Sequence, residues 1–195
     1  MLAQTDFQHI SGTRVVMDFV EVPSIMMEYF ASSPDILEQI GRHYKTEDPV
    51  PRGNLEEILR RHSLLQALES QNQIQMAMLD QIYHSELAVN NSIDTTRILY
   101  DLSLNHNPIP TPLSFQWQVQ FSHLFSYGAS YYSYLWCRRW AAGIYKQHFE
   151  NVPMDSWRTG GELIRRDLLG VGGGRDPRIG LANVLPSFSL DDRKK

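Results

Sequence analysis

Residues 54–87 read NLEEILRRHSLLQALESQNQIQMAMLDQIYHSEL, and the spacing of the apolar side chains in this stretch decides the fold class. Apolar residues recur at intervals of three and four, which is the period of an α-helix with one buried face. The apolar positions are Leu55, Ile58, Leu59, Leu65, Leu68, Ile74, Met78, Leu79, Ile82, Tyr83 and Leu87. The pattern predicts one long helix or two helices in tandem.

The rest of the chain also favours helices. Further helices are predicted over residues 15–30, 34–40, 95–102, 155–169 and 177–185, with Asp18 and Asp94 as N-caps. Breaks are predicted at residues 46–53, 90–92, 107–112 and 170–174, the last as a flexible glycine-rich loop without the lysine of a phosphate-binding loop. No stretch alternates apolar and polar residues in the manner of a strand. We therefore expect an all-α protein.

Composition limits the class of protein. The chain has 195 residues, 42% of them hydrophobic, so it can bury an ordinary core as one structural unit or part of one. A net charge of -4 and a pI near 5.9 argue against nucleic-acid and anionic-membrane partners. No apolar run approaches the length of a membrane span. The lone Cys137 cannot form an intrachain disulfide and is expected to be a small core residue.

An acidic residue at the start of an apolar helix is the first candidate for chemistry. The stretch Gly-Thr-Arg-Val-Val-Met-Asp-Phe-Val-Glu-Val-Pro-Ser runs from Gly12 to Ser24 and contains Glu21. By position alone, Glu21 is better explained as an acid that the helix macrodipole stabilises. Glu28 lies two helical turns later, and it either supports Glu21 from behind or is a solvated acid.

An aromatic stretch supplies the second candidate. His123, Tyr127, Tyr131 and Tyr134 are spaced by four, four and three residues, so a continuous helix would place their side chains on one face, although Gly128 makes continuity doubtful. Such side chains can donate hydrogen bonds to the oxyanion that forms when water attacks a peptide carbonyl. The alternative is a buried aromatic helix, which the spacing by itself favours.

The two stretches resemble the thimet oligopeptidase family of zinc metallopeptidases, and most closely its mitochondrial branch. The second stretch reads His-Leu-Phe-Ser-Tyr-Gly-Ala-Ser-Tyr-Tyr-Ser-Tyr-Leu-Trp from His123. The resemblance implies that Glu21 is a protein ligand of the one catalytic zinc ion, with Glu28 in support. It implies that Tyr134, Tyr127 and His123 are catalytic, and that Tyr131, His123 and Tyr127 contact the substrate. The interval from His123 to Tyr127 is one residue shorter than in the thimet branch, as it is in the mitochondrial branch.

The family also has a His-Glu-x-x-His helix, which supplies two zinc ligands and the general base, and this chain lacks that motif. No two of its histidines have the i, i+4 spacing that places paired imidazoles on one helical face. The matching helix would lie before Met1. We therefore expect the C-terminal part of a peptidase, with residues 1–185 in the catalytic domain and residues 186–195 as a polar tail.

The resemblance implies a zinc-dependent endopeptidase that cuts oligopeptides, or removes N-terminal octapeptides from precursors imported into the mitochondrial matrix. A cytoplasmic oligopeptidase is the alternative within the family, and a non-catalytic helical remnant or interaction module is the alternative outside it. The expected partner is a peptide or precursor protein, without nucleic acid or membrane, and the oligomeric state stays open. We also expect Glu21 to face the same cavity as the hydroxyls of Tyr127 and Tyr134, and the isolated chain to be inactive.

Overall fold

The computed structural model describes residues 3–89 and 93–186, and these ranges contain helices and no β-strand. The prediction of an all-α protein is confirmed. The α-helices assigned in these ranges are α1 (Met17–Val20), α2 (Val22–Ala31), α3 (Pro34–Ile40), α4 (Arg52–Leu64), α5 (Gln66–Tyr83), α6 (Thr95–His106), α7 (His123–Ser126), α8 (Ser133–His148), α9 (Trp157–Ile164) and α10 (Pro177–Val184). Within the described part of the chain, no helix is both long and apolar enough to span a membrane.

The chain divides into two compact units. Unit 1 combines Met1–Ala31 with Trp136–Lys195, and unit 2 is Ser32–Leu135. The break predicted at residues 90–92 and most of the predicted polar tail, residues 187–195, lie outside the described residues.

Unit 1 has one hydrophobic core, to which α8 contributes most regularly. Cys137, Trp140, Ala141 and Ile144 follow one another at helical spacing and are all buried, so they form one face of α8. The partners of that face come from the other helices of the unit and include Phe19, Val22, Met26, Ile164, Leu168, Leu181 and Val184. The core therefore joins α1 and α2 to α8, α9 and α10.

Unit 2 has two smaller cores on the long helix α5. One core holds Leu79 of α5 against Leu99 and Leu102 of α6. The other holds Ala77 of α5 against Phe121 and Tyr131. The long amphipathic stretch is thus two helices in tandem, α4 and α5, and Leu65 lies between them.

Of the two predicted N-caps, Asp94 is confirmed and Asp18 is wrong. Asp94 caps α6, because its Oδ1 accepts a hydrogen bond of 2.9 Å from the backbone N–H of Arg97. Asp18 is not an N-cap: it lies in the first turn of α1, and Val16 occupies the cap position. The helix predicted over residues 15–30 is in fact two helices, α1 and α2, with Glu21 between them.

The glycine-rich segment 170–174 is not a flexible loop, so that prediction is wrong. Gly172–Gly174 forms a turn of 3-10 helix packed against the N-terminal segment of unit 1. A Cβ atom at Gly172 would lie 2.3 Å from the carbonyl oxygen of Ile10, and one at Gly173 would lie 2.2 Å from that of Arg14. The glycines are needed because only a residue without a side chain allows two backbones to approach this closely.

Candidate active site

Glu21 lies at the joint between α1 and α2. Its backbone angles, φ -93° and ψ 1°, end the first helix and re-aim the chain into the second. The carboxylate is half-buried, and its Oε2 accepts a hydrogen bond of 2.6 Å from the hydroxyl of Ser24. Carboxylates that bind metals are commonly oriented by such hydrogen bonds. The serine of the Glu-Val-Pro-Ser sequence therefore fixes the direction of the Glu21 side chain.

Cys137 of α8 packs beside this joint. It is fully buried, and its Sγ lies 3.2 Å from the carbonyl oxygen of Asp18. Burial, and to a lesser extent the negative charge of Glu21, raise the pKa of the thiol to about 11. A thiol with that pKa stays protonated at neutral pH, so it is a poor nucleophile. The prediction of a small core residue is confirmed.

A carboxylate such as that of Glu21 can supply one metal donor, and a catalytic zinc site takes three from the protein. No group of three or more histidine, cysteine, aspartate or glutamate side chains that could hold a metal occurs in the described part of the chain. Glu28 is exposed on α2, about 10 Å along the helix axis from Glu21. The described residues therefore do not form a complete zinc site.

Unit 1 also contains an open cavity of about 850 Å³ beside α1. Phe19, Trp136, Trp140 and Arg175 are among the residues that line it, and Glu21 is not. Glu21 and the tyrosines of the second motif belong to different units, so their common cavity stays a prediction.

In unit 2, the side chains of His123, Tyr127, Tyr131 and Tyr134 come together, and we call this group the histidine–tyrosine cluster. The ring centroid of His123 lies 5.4 Å from that of Tyr127, 5.4 Å from that of Tyr131 and 5.9 Å from that of Tyr134. The hydroxyl of Tyr134 lies 3.5 Å from Nε2 of His123. The cluster is half-buried apart from Tyr131, which is buried.

The cluster does not form on one continuous helix. Helix α7 ends at Ser126, Ala129 has a positive φ of 59°, and α8 begins at Ser133. The intervening turn reverses the chain and brings His123 of α7 back against Tyr131 and Tyr134. The doubt raised by Gly128 was therefore justified, because the side chains meet through a turn and not through helical spacing.

Tyr131 differs from the other members of the cluster. Only 6% of it is exposed, and its hydroxyl donates a hydrogen bond of 3.0 Å to Oε1 of Gln73 in α5. Its ring also packs edge-on against Phe121, with 5.0 Å between the centroids. In this structure Tyr131 is a buried residue that packs against the rings of His123 and Tyr134. Its contact with a substrate stays a prediction.

Sequence reasoning missed Asp80, which lies in the last turn of α5 with 1% of its surface exposed. Its Oδ1 accepts a hydrogen bond of 3.0 Å from the backbone N–H of Ala129, and its Oδ2 accepts one of 2.9 Å from that of Tyr131. The available signal was an acid inside the apolar run of residues 76–82. An acid at such a position is buried only if it has partners.

Comparison with known proteins establishes the class of protein to which this fold and these two motifs belong. A model of peptidase family M3 matches residues 1–192, so the chain belongs to peptidase family M3. The resemblance that the sequence suggested is thereby confirmed.

Among curated proteins, the chain is similar to mitochondrial intermediate peptidases. It is 42% identical to that of Pyricularia oryzae over 188 residues, which is 95% of this chain and 23% of the relative. It is 40% identical to that of Homo sapiens over 193 residues, which is 98% of this chain and 26% of the relative. It is 38% identical to that of Coccidioides immitis over 201 residues, with 100% and 25% covered. The chain thus spans about a quarter of the length of these relatives.

Proposed function

We propose that this chain is part of a zinc-dependent metalloendopeptidase and supplies one metal ligand together with the side chains that stabilise the transition state. The observation that carries the proposal is the histidine–tyrosine cluster, in which the Tyr134 hydroxyl and Nε2 of His123 lie 3.5 Å apart. Membership in peptidase family M3 supplies the reaction class, hydrolysis of peptide bonds.

Glu21 is the proposed metal ligand in this chain. Its carboxylate is half-buried and is oriented by Ser24. The two further ligands and the general base belong to a His-Glu-x-x-His helix, and the chain has no such sequence. Glu28 is the proposed support for Glu21, and since it is exposed its effect would be on metal affinity alone.

Tyr134, Tyr127 and His123 are the proposed catalytic donors. Attack of water on a peptide carbonyl places negative charge on the carbonyl oxygen, and a hydrogen-bond donor aimed at that oxygen lowers the barrier. Removing one such donor costs about 10²–10³ in kcat. Tyr131, His123 and Tyr127 are also the proposed contacts to the peptide substrate.

The proposed substrates are oligopeptides or the N-terminal octapeptides of precursor proteins, and the proposed compartment is the mitochondrial matrix. The printed names of the relatives, mitochondrial intermediate peptidases, support this choice over a cytoplasmic oligopeptidase. Neither nucleic acid nor membrane is a proposed partner.

A non-catalytic helical module is the second candidate. The observation that favours it is the lack of a metal-binding group among the residues that the structure describes. A module of this kind would keep the histidine–tyrosine cluster only as packing.

A chimera distinguishes the two candidates. This chain would replace the segment that it matches in human mitochondrial intermediate peptidase, and cleavage of a fluorogenic peptide would be measured with and without a chelator. The metalloendopeptidase proposal predicts chelator-sensitive cleavage that zinc restores. A chimera that folds, as judged by circular dichroism and a cooperative melt, but cleaves no peptide would favour the non-catalytic module.

A further inference from the structure

The turn that carries the tyrosines, residues 127–131, is fastened to α5 at its middle and at its C-terminal end by one carboxylate; we call it the tyrosine turn. Asp80 accepts the backbone N–H of Ala129 with one oxygen, at 3.0 Å, and the backbone N–H of Tyr131 with the other, at 2.9 Å. Hydrogen bonds to an ionised acceptor are roughly twice as strong as those between neutral groups. The turn is therefore held by two strong bonds whose acceptor is a single side chain.

Neighbouring residues of α5 add to the same attachment. The side-chain amide of Gln81 donates a hydrogen bond of 2.8 Å to the carbonyl oxygen of Ala129. Nδ1 of His84 lies 2.9 Å from Oδ1 of Asp80 and 2.9 Å from the Asp80 carbonyl oxygen, so it donates in either case. A Cβ atom at Gly128 would lie 2.8 Å from Nε2 of His84. Asp80 and Gln81 of α5 thus bind Ala129 and Tyr131, and His84, the residue that follows α5, packs against Gly128.

The backbone conformation of the turn requires stabilisation by hydrogen bonds of this kind. Ala129 has φ 59°, a left-handed conformation that side chains other than glycine and asparagine rarely adopt. A residue stays in that region only when its surroundings over-determine it. Asp80 and Gln81 bind the N–H and the C=O of this very residue.

The position of Asp80 is itself fixed by the core of unit 2. Asp80 follows Leu79, which is fully buried against Leu99 and Leu102. Helix α5 therefore cannot rotate Asp80 away from the turn without exposing that core. The position of the carboxylate is transmitted directly to Ala129 and Tyr131, and through the backbone of the turn to Tyr127.

We propose that Asp80 is a positioning residue of the candidate active site: it sets the geometry of the tyrosine turn and so holds Tyr127 and His123 where a peptide carbonyl can meet them. The structural part of this proposal stands on the contacts alone. The catalytic part rests on the proposed peptidase function, because it requires that Tyr127 and His123 act on a substrate.

Amide hydrogen exchange of the purified chain tests the structural part. Asp80→Asn keeps the size of the side chain but leaves one acceptor oxygen in place of two, so one amide of the pair loses its partner. We expect the N–H of Ala129 or of Tyr131 to exchange about tenfold faster than in the unchanged chain, with the amides of Leu79 and Leu102 unaffected. Unchanged exchange at both Ala129 and Tyr131 would overturn the proposal.

Two further variants keep the test decisive. Asp101→Asn is the matched control, because it also removes one negative charge from a helix of unit 2, where Asp101 pairs with exposed Arg97. It should leave both amides unchanged. Should Asp80→Asn not fold, Gln81→Ala replaces it, since Gln81 is exposed and makes its bond to Ala129. Both amides should stay protected in that variant, because Asp80 still accepts them, and exchange as fast as in the unfolded chain would overturn the anchor.

Kinetics of the chimera described above test the catalytic part. We expect Asp80→Asn to lower kcat by tenfold or more, because a misplaced donor stabilises the transition state less well. A residue that only supports the fold would instead lower the melting temperature with kcat per folded molecule unchanged, and that result would overturn the positioning role. An inactive parent chimera would count against the peptidase function, and the exchange result would still decide whether Asp80 anchors the turn.

Discussion

Tyr134 and His123 face each other across the tyrosine turn, with the Tyr134 hydroxyl 3.5 Å from Nε2 of His123 and the two ring planes inclined at 73°. The turn reverses the chain between them, so two side chains from different helices become neighbours. Each can donate a hydrogen bond to a third atom placed beside them. This pair is the proposed source of the hydrogen bonds that stabilise the transition state.

Tyr134→Phe removes the hydroxyl and keeps the ring packed against Tyr131. In the chimera we expect kcat to fall about 10²-fold with KM little changed, because the lost bond forms only in the transition state. Tyr44→Phe is the control, since Tyr44 is 78% exposed and lies outside the cluster. A Tyr134→Phe chimera as fast as its parent would remove Tyr134 from the catalytic group.

The 195-residue chain by itself is expected to have no peptidase activity. It lacks the His-Glu-x-x-His sequence, and the residues that the structure describes form no group able to hold a metal. Without the metal and the general base, the chemical step fails even where a peptide still binds. The measurement is cleavage of a fluorogenic peptide by the purified chain. Chelator-sensitive cleavage, with contaminating proteases excluded, would contradict this expectation.

Structural features that are caused by neighbouring residues were predictable from the sequence, and features that are caused by distant contacts were not. Helix α3 and the Asp94 cap of α6 were predictable because their signals, a first-turn proline and an acid three residues before a backbone N–H, lie within the helix itself. The interruption at Glu21 was not, since it coincides with packing against Cys137, more than a hundred residues later. Apolar spacing cannot report a contact at that distance.

The candidate site divides in the same way. His123 and the tyrosines were found because their motif is a contiguous stretch, while Asp80 was missed because its partners lie 49 and 51 residues away. Gly172 and Gly173 were predicted to lie in a flexible loop, whereas the close approach of the Ile10 and Arg14 backbones requires glycine at both positions. In each missed case, the cause is a tertiary contact that leaves no periodic signal.

Gly172→Ala and Gly161→Ala are predicted to change stability in opposite directions. At Gly172 the added Cβ meets the Ile10 carbonyl oxygen at 2.3 Å and φ is 49°, so we expect a loss of about 2–4 kcal/mol in the free energy of unfolding. At Gly161, within α9, nothing lies within 4 Å, and alanine should add about 0.5–1 kcal/mol. Urea denaturation measures both changes. Equal effects of the two substitutions would show that the close contact at Gly172 is absent in solution.

Cys137 should be unreactive and should make stability depend on alkaline pH. Burial raises the pKa of its thiol from 9.0 to about 11, which means that folding favours the neutral form. This contribution is present below pH 9 and is lost as the pH rises from 9 to about 11. A disulfide reagent at pH 8 should therefore modify the folded chain much more slowly than the urea-unfolded chain. Equal rates in the two states would contradict the burial of Cys137.

Glu21 is the proposed metal ligand, and the zinc content of the chimera tests that claim most directly. We expect one zinc ion per molecule in the parent chimera and in Glu162→Gln, a control that neutralises an exposed acid of unit 1. In Glu21→Gln we expect the zinc content after dialysis against a weak chelator to fall well below one, with activity lost in parallel and the melting temperature of the metal-free protein unchanged. Full zinc occupancy and full activity in Glu21→Gln would contradict the account.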